Sequence, residues 1–464
     1  MSLQSFQPYA LLVLGIVLSA ILAISFPESY HHYDMSAFWK WSQYWSESWR
    51  AIYINCDTCN YPIMGMLSSA GLLSLLGILF NSDFHDTVFV FRLLLGLIDG
   101  GNVLLMFWLL KQLSIKHSAF WAGIVGILPS SWAGGALWGQ IDGVSQCSIL
   151  ITVGWIVRMN KKAPPGKTTF AVYLAISSVM LSWIILTKQL TLFSCVPLGL
   201  LLTTNIFFFS RKWSERIAYA LLMMVTFVVS NVVWDSFLSL REPYVSHLYY
   251  IWKTGSTQGG IISGNGFNVW MFLGRNMSSS SDIAIFNNSL TKSHIVLSIT
   301  PYIAGVVLFA VFNSLTTLSL LLFARKHFMG VEQFLNVDIL SSFIFLLALV
   351  NLSFNVFLAG THERYLYHFY PFIIVACLGL RKQNLLFSNY LICEVILGSI
   401  LYGSFVLGIL AGRFNSIGYI PHWILGLFHV GLLCSLLMVF LNHHEFNENV
   451  RWIASRTRRP FSRR

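Results

Sequence analysis

Four short polar groups interrupt the apolar runs of this sequence, and their residue types are able to act on an anion. Asp34 follows the first apolar run, and Trp138-Gly139-Gln140-Ile141-Asp142 (the WGQID segment) ends the fourth. Lys188-Gln189 separates two further runs, and Thr361-His362-Glu363-Arg364-Tyr365 (the THERY segment) joins two more. Charged side chains inside or at the edge of apolar runs cost free energy, so each group suggests a function.

The residue types suggest roles in a reaction on a lipid-linked phosphate. Lys188, His362 and Arg364 can hold a phosphate or diphosphate, and the arginine can grip it with two parallel hydrogen bonds. Asp34 can act as a general base that takes the proton from an attacking hydroxyl. A sugar-phosphate donor carries its own leaving group, so the protein would mainly position it and stabilise developing charge. We find neither a Gly-rich phosphate loop nor a D-x-D motif, and we expect no metal and no cofactor.

Each group also has a structural interpretation. The two aspartates can cap helices, and Lys188 can extend its amine from an apolar stem toward water. The THERY segment is harder to explain by packing, because it places an acid, a base and an imidazole together. Arg92 and Asp99 lie seven residues apart on one face of the third run, which predicts a structural intramembrane pair or bonds to neighbouring partners.

The composition is that of a membrane protein. Of the 464 residues, 56% are hydrophobic and 10% are charged, whereas soluble proteins carry roughly 25% charged residues. The 16 tryptophans suit belts at the two membrane interfaces. The net charge of +11 comes from short clusters between apolar runs and from the tail. That pattern fits anionic lipid at cytoplasmic loops and excludes nucleic acid as the expected partner.

Thirteen apolar runs predict an all-α polytopic transmembrane bundle of about 11–13 membrane helices, forming one integral membrane domain over residues 1–464. The first run has no basic segment before it and no small-residue cleavage site, so we expect a retained span. The runs are residues 8–26, 62–80, 87–110, 118–137, 144–158, 168–187, 190–210, 216–238, 294–323, 338–358, 365–380, 385–412 and 421–441.

Lys and Arg clusters predict the orientation, since they concentrate on the cytoplasmic side. The predicted cytoplasmic clusters are Arg158–Lys167, Arg211–Arg216, Arg325-Lys326, Arg381-Lys382 and the basic tail at 442–464. Both termini are then cytoplasmic, and all four polar groups are extracytoplasmic. So are two long loops, residues 27–61 and 239–293. Three apolar runs separate residues 27–61 from 138–143, so one run between residues 62 and 137 is expected to be re-entrant or interfacial.

The first loop carries two further signals. Trp41, Tyr44, Trp45 and Trp49 fall at helical spacing, which predicts an amphipathic helix lying in the membrane interface. Cys56-Asp57-Thr58-Cys59 lacks the second ligand pair of a zinc site, which leaves a local disulfide or no function. The loop at 239–293 is rich in Gly, Ser and Asn, and we expect short helices in it.

In these positions the sequence resembles the GT-C superfamily of polytopic glycosyltransferases, most closely the PIG-V-like (GPI mannosyltransferase II-related) family and its bacterial relatives. Each matching piece is short, but six occur in order along most of the chain. One departs from the family, where Y-P-P is common and Ile63 here follows Pro62. The pieces are Asp34 with Phe38 and Trp41, Asn60-Tyr61-Pro62, the WGQID segment, Lys188-Gln189, Asn265 with Phe267, Asn268 and Trp270, and His362 to Tyr365.

The resemblance implies a hexosyltransferase, with mannose as the expected sugar. The donor would be a polyprenyl- or dolichyl-phosphate sugar, used on the extracytoplasmic side with inversion at the anomeric carbon. Asp34 matches the family's first-loop catalytic carboxylate, and Asp57 is a rival base. The expected membrane is a bacterial inner membrane or the endoplasmic reticulum, and the acceptor is a lipid or glycan. The expected donor- and substrate-binding residues are Lys188, Gln189, His362, Glu363, Arg364, Tyr365, Trp138, Gln140 and Asp142.

Two alternatives remain open at this stage. A transporter or flippase of lipid-linked or polar substrates would favour inverted repeats and broken helices at the midplane. We find no repeat, and the polar groups cluster on one face. A lipid-linked glycan polymerase or ligase would favour long external loops rich in cations, and residues 239–293 contain few.

Overall fold

A computed structural model describes residues 3–56, 58–161, 166–238, 261, 263–264, 266–272, 286–289, 296–326, 337–380, 385–411 and 422–444. Asp57, Asn265 and Arg381-Lys382 lie outside the described residues. So do most of the loop at 239–293 and all but the first residues of the basic tail. The described part is a helical bundle with one short antiparallel strand pair, and the predicted all-α polytopic class is confirmed.

Fifteen helices build the described part of the bundle. They are accompanied by one further short α-helix, Ile52–Asn55, and by the strands β1 (Phe286–Ser289) and β2 (Val296–Ile299). Short 3-10 helices lie at Trp49–Ala51, Gln189–Thr191, Val269–Phe272 and Glu363–His368. The helices are α1 (Leu3–Ser25), α2 (His32–Ser48), α3 (Ile63–Phe80), α4 (Phe84–Gln112), α5 (Ser118–Ile127), α6 (Pro129–Trp138), α7 (Asp142–Asn160), α8 (Lys167–Thr187), α9 (Leu192–Phe209), α10 (Trp213–Leu238), α11 (Pro301–Lys326), α12 (Val337–Phe357), α13 (Tyr370–Leu380), α14 (Leu385–Leu410) and α15 (His422–His443).

Ten of these helices are long and apolar enough to cross a membrane. They are α1, α3, α4, α8, α9, α10, α11, α12, α14 and α15. The pair α5–α6 bends by 71° at its break and adds an eleventh span if it is counted as one. Two of the thirteen predicted runs form other helices. α13 has 11 residues, about 16 Å of helix, and α7 carries Asp142, Gln146 and Arg158 among its 19 residues.

Burial separates the core of the bundle from its periphery. In the most apolar 18-residue stretch of α12, 83% of the residues are buried inside the protein, whereas in that of α10 the share is 6%. Valines such as Val228 and Val233 on α10 are about half exposed. A helix that is apolar on all faces yet unburied needs an apolar solvent, because its side chains gain nothing from water. Lipid is therefore the natural environment of α10.

Small residues bring α1 and α4 into close antiparallel contact. Gly96 of α4 lies against Ser19 of α1, and Gly100 lies against Ile16, so the two chains run in opposite directions. A Cβ atom on Gly96 would lie 3.1 Å from the backbone of Ser19. Small residues at helix contacts let the backbones approach closely in membranes. α4 therefore starts at the end of the bundle where α1 stops.

The bent pair returns along α1 in the parallel direction. Gly123 of α5 lies against Leu11, and Gly126 lies against Gly15. Thus α5–α6 ends beside the C-terminal end of α1, and Trp138 reaches the first loop. We call this end of the bundle the site end.

α2 and α3 form an antiparallel pair at the site end. Trp45 of α2 contacts the backbone position of Gly71, and Trp39 contacts that of Gly77. The predicted helix in the first loop is therefore present over His32–Ser48, and Trp41 is buried against the protein.

Both ends of α3 lie at the site end. Before α3 begins, the Tyr61 hydroxyl donates to Gln140 Oε1 at 3.1 Å. After α3 ends, the Phe84 ring packs on Tyr30 at 5.9 Å, and His85 Nδ1 lies 3.1 Å from the Tyr30 hydroxyl. We infer that α3 is the apolar run that does not cross the bundle, although its length and composition are those of a span. α4 and α5–α6 then make the two crossings that bring residues 27–61 and 138–143 to one side.

Cysteine labelling tests this path. Glu47→Cys and Asp86→Cys are expected to react with a membrane-impermeant maleimide from the same side of the membrane, and Lys116→Cys from the opposite side. The reason is that α3 begins and ends at the site end, while α4 crosses. All three positions are exposed in the structure. Labelling of Glu47→Cys and Asp86→Cys from opposite sides would show that α3 spans.

Candidate active site

The Asp34 carboxylate is held by the WGQID segment at the site end. Trp138 Nε1 donates to Asp34 Oδ2 at 2.6 Å, and Gln140 Nε2 donates to the same oxygen at 2.7 Å. His31 Nδ1 lies 3.2 Å from this oxygen. Two short hydrogen bonds to one carboxylate oxygen fix its position and favour its charged form.

The local chain path explains this contact. Gly139 has φ of +91°, a left-handed conformation that glycine adopts without strain and that ends α6. A Cβ atom there would also lie 2.7 Å from the Met35 sulfur, so α2 packs directly on this turn. The His31 N–H donates to the Trp138 carbonyl at 3.1 Å, and the His31 ring stacks on the indole at 4.3 Å.

Arg364 lies between two carboxylates. Its Nη1 is 3.9 Å from Asp34 Oδ2 and 3.7 Å from Glu363 Oε1. The guanidinium carbon lies 6.0 Å from the centre of the Trp138 ring, within cation–π distance. Arg364 Nε is buried and has no hydrogen-bond partner among the described residues. Asp34 and Arg364 keep 13% and 15% of their side-chain surface exposed, so a ligand can reach both.

The two carboxylates have opposite pKa shifts. Burial raises the pKa of Asp34, but Arg364 and the hydrogen bonds from His31 and Trp138 outweigh it and hold this pKa well below its usual range. Burial raises the pKa of Glu363 to about 7, although Arg364 lowers it. Divergent pKa values in one cluster are typical of sites that move protons, since each group then has its own protonation state at neutral pH.

Lys188 and Asp142 form a buried ion pair beneath this cluster. Lys188 Nζ lies 2.5 Å from Asp142 Oδ1, and the side chains are 3% and 0% exposed. Tyr61 connects the pair to the site, because its ring lies 5.7 Å from Lys188 Nζ and its hydroxyl bonds Gln140. Lys188 was predicted to hold a phosphate. In this conformation its charge is already paired, and the phosphate role stays a prediction.

The first loop is tied to Lys188-Gln189. Gln189 Nε2 donates to the Asn60 carbonyl, and the Tyr53 hydroxyl donates to the Tyr61 carbonyl at 2.7 Å. Cys56 and Cys59 form a local disulfide, one of the two alternatives that the sequence left open. The disulfide and these hydrogen bonds hold the backbone around Tyr61 against the site.

The THERY segment is anchored by the residues that follow it and by α12. His368 Nε2 lies 2.7 Å from Ser145 Oγ on α7. The Tyr367 hydroxyl donates to Asp99 Oδ1 at 2.7 Å, and Ser19 Oγ donates to Asp99 Oδ2 at 2.8 Å. Asn355 Nδ2 donates to the His362 carbonyl at 2.7 Å. These bonds fix the backbone that presents Arg364.

Arg92 and Asp99 bind neighbouring partners, not each other. The Arg92 guanidinium donates to the carbonyls of Phe26, Pro27 and Ala136 at 2.6–3.0 Å. It therefore joins the end of α1 to the end of α6, just before Trp138. This is the structural role predicted for the residue.

The segment Phe267–Trp270 packs against the THERY segment. Gly264 N and Gly266 N both donate to the Thr361 carbonyl at 2.9 Å. Asn268 Nδ2 donates to Thr361 Oγ1 at 3.3 Å.

Burial, followed by the charge of Arg364, lowers the pKa of His362 well below its usual value. A neutral imidazole can hydrogen-bond a phosphate but adds no positive charge to the site.

Most predicted site residues meet in one place. Asp34 and Arg364 form its accessible part, and the buried Trp138 and Gln140 hold Asp34 in place. Glu363 lies behind Arg364, and the ring centres of His362 and Tyr365 are 5.2 Å apart beside it. The remaining predicted residues, Asp142, Lys188 and Gln189, lie beneath or against the first loop.

Two residues of the site were not predicted. His31 stands three positions before Asp34, so one turn of an N-terminal helix would have placed it nearby. Asn355 is one of few amides in a strongly apolar run, which is a signal for a buried hydrogen bond. Among the described residues, no group of three or more His, Cys, Asp or Glu side chains can hold a metal ion. Metal independence stays a prediction.

No protein-family model matches this sequence, and no curated protein matches it either.

Proposed function

We propose that this protein is an inverting membrane glycosyltransferase of the GT-C type. It moves a hexose, with mannose as the first candidate, from a polyprenyl- or dolichyl-phosphate donor to a lipid or glycan acceptor. One observation carries the proposal: Arg364 lies 3.9 Å from a carboxylate fixed by Trp138 and Gln140, and its buried Nε has no hydrogen-bond partner in the described part of the chain. A partly exposed cation next to a partly exposed carboxylate suits transfer from a phosphate leaving group.

These positions support the following proposed reaction. The acceptor hydroxyl oxygen attacks the anomeric carbon, and the bond from that carbon to the phosphate oxygen breaks. The electron pair leaves with the phosphate, whose growing charge Arg364 stabilises. The hydroxyl proton passes to Asp34. Attack from the face opposite the phosphate inverts the anomeric carbon.

Arg364 also controls the basicity of Asp34. In the free site its charge contributes to a low Asp34 pKa, which makes the carboxylate a weak base. A donor phosphate at Arg364 neutralises that charge, so the pKa of Asp34 rises toward the range of a useful base. Proton transfer to Asp34 then occurs late, after bonding to the anomeric carbon has made the hydroxyl acidic.

Two features support an extracytoplasmic site. Arg158, Arg211 and Lys326 lie at helix ends remote from the THERY and WGQID segments, and cations concentrate on the cytoplasmic side. The Cys56–Cys59 disulfide lies at the site end, and disulfides persist in oxidising compartments. A bacterial periplasm or the lumen of the endoplasmic reticulum meets both conditions.

A transfer assay tests the proposal. Purified protein in detergent receives a synthetic polyprenyl-phosphate-mannose and a pool of lipid and glycan acceptors, and we expect mannosylated product. Arg364→Ala is expected to weaken donor binding by about 10- to 100-fold, because a charge-assisted contact is lost. Arg50→Ala, an exposed arginine in the same loop region, is the matched control and should bind donor normally.

Two results would contradict the proposal. Folded wild-type protein that transfers no hexose from any polyprenyl-phosphate donor would exclude the reaction. Flux of lipid-linked or polar substrates through liposomes containing that inactive protein would favour a transporter.

A further inference from the structure

We propose that Glu363 is a positioning residue that takes up a proton when an anion binds Arg364. Binding of a phosphate diester at this site is then coupled to proton uptake from solvent. The inference rests on the proposed function only in using Arg364 as the anion site, and it holds whichever sugar is attached.

The geometry gives Glu363 and an incoming anion the same partner. Arg364 Nη1 lies 3.7 Å from Glu363 Oε1 and 3.9 Å from Asp34 Oδ2, so one guanidinium serves two carboxylates. Both distances exceed those of hydrogen bonds, and Arg364 can turn to a better acceptor. When a phosphate hydrogen-bonds the guanidinium, the positive charge of Arg364 is neutralised and stabilises the Glu363 carboxylate less.

Glu363 cannot move to water when that happens. Its side chain is 0% exposed, and neither carboxylate oxygen has a hydrogen-bond partner among the described residues. The adjoining turn is locked by Tyr367 on Asp99 and by His368 on Ser145. A buried carboxylate without hydrogen bonds depends on its nearest cation to stay ionised. Weakening the contact with Arg364 therefore drives Glu363 to bind a proton.

The other groups around Glu363 do not replace Arg364. Asp34 is a like charge, and Lys188 is paired with Asp142. Several titratable and charged groups of the described residues face this region. They are Arg364 and Tyr365 from the same segment, His31 and Asp34 from the first loop, Tyr402 from α14, Asp142 from the start of α7, and Lys188 from the connection between α8 and α9.

Linkage gives the direction of the pH dependence. Burial raises the Glu363 pKa to about 7 in the free site, and a bound anion raises it further. Below the free-site pKa, Glu363 is protonated in both states, so affinity is constant. Above it, binding requires proton uptake, so affinity falls by up to about tenfold per pH unit until the pKa of the bound state is reached.

Of the two carboxylates next to Arg364, the coupling leaves Asp34 charged beside the bound anion. Neutral Glu363 no longer competes for Arg364, so the whole guanidinium charge acts on the phosphate. Donor binding thereby separates the two acids into one neutral group and one base.

Binding of polyprenyl methyl phosphate tests the coupling. This diester has no sugar and no proton to lose near neutral pH, unlike a monoester, whose second pKa is about 6. Titration calorimetry at about pH 6 and about pH 8.5 should show wild-type affinity falling by about 5- to 30-fold. Heats measured in two buffers of different ionisation enthalpy should reveal proton uptake at the higher pH.

Two variants assign the proton. Glu363→Gln should bind with the low-pH affinity at both pH values and take up no proton. Glu28→Gln, an exposed glutamate at the same end, should keep the wild-type pH dependence. The same pH dependence in Glu363→Gln, or pH-independent binding by wild type, overturns the inference. So does the absence of binding by folded wild type at both pH values.

The two proposals fail separately. If the diester binds with Glu363-dependent proton uptake but no sugar is transferred, the glycosyltransferase proposal is wrong and the proton-coupling proposal stands. Sugar transfer with pH-independent diester binding would do the reverse.

Discussion

Asp34→Asn is expected to lower the rate of glycosyl transfer by about 10²- to 10⁴-fold, the range typical of losing a general base. The amide oxygen still accepts the hydrogen bonds from Trp138 and Gln140, so the site should keep its shape. The amide cannot take the hydroxyl proton. Because Arg364 loses one of its two carboxylate neighbours, donor affinity should stay equal or increase. Single-turnover rates and donor dissociation constants separate these effects.

Asp86→Asn and Asp57→Asn complete the experiment. Asp86 is exposed at the same end of the bundle, so the Asp86→Asn variant should transfer sugar at the wild-type rate. Asp57 is the rival base and lies outside the described residues. Loss of transfer in Asp57→Asn, together with normal rates in Asp34→Asn, would move the base to the disulfide loop and leave the reaction class intact. If Asp34→Asn weakens donor binding as much as it lowers the transfer rate, the role of Asp34 is structural.

The position of the candidate site could be predicted from the ends of apolar runs. Polar groups at alternate run ends must meet on one face if the runs between them cross in pairs, and Asp34, the WGQID segment and the THERY segment do meet. Their hydrogen bonds could not be predicted, because 104 residues separate Asp34 from Trp138 and no local pattern pairs them.

The path of α3 shows what hydropathy omits. Ile63–Phe80 has the length and mean hydropathy of a span, 2.0 over its apolar window. Hydropathy measures transfer to an apolar environment and carries no information about direction. Three apolar runs lie between two loops that are expected on the same side of the membrane, which indicated that one of the three does not cross. Only the contacts of Tyr61 and Phe84 at the same end identify which one.

Burial also divided residues that looked alike in sequence. Glu363 and Arg364 are adjacent, yet the acid is fully buried and the guanidinium is partly accessible. The 3-10 helix at Glu363–His368 has about three residues per turn, so consecutive side chains point to different sides. Sequence spacing alone predicted two ligand-binding residues, and of the two only Arg364 is partly accessible in the structure. The ligand-binding role of both residues stays a prediction.

Lys188→Met is expected to lower the free energy of unfolding by about 3–5 kcal/mol, the cost of leaving a buried partner charge uncompensated. Asp142 would be left with an exposed fraction of 0% and no cation to pair with Oδ1. Lys167→Met is the matched control. Its lysine is 70% exposed beside Glu215, and an exposed pair contributes about 0–1 kcal/mol. Thermal unfolding in detergent measures both variants.

The double variant Lys188→Met/Asp142→Leu decides what the pair does. Replacing both members of a buried pair by apolar residues is often neutral for stability, so most of the unfolding free energy should return. A stable double variant that binds the polyprenyl diester with wild-type affinity would make the pair a support for Tyr61 and Gln140. A stable double variant that has lost diester affinity would give Lys188 the phosphate contact, with Asp142 holding the lysine until the donor arrives. Failure of the double variant to regain stability would mean that the ion pair does more than neutralise two charges, since its geometry would then be required for α7 and α8 to pack.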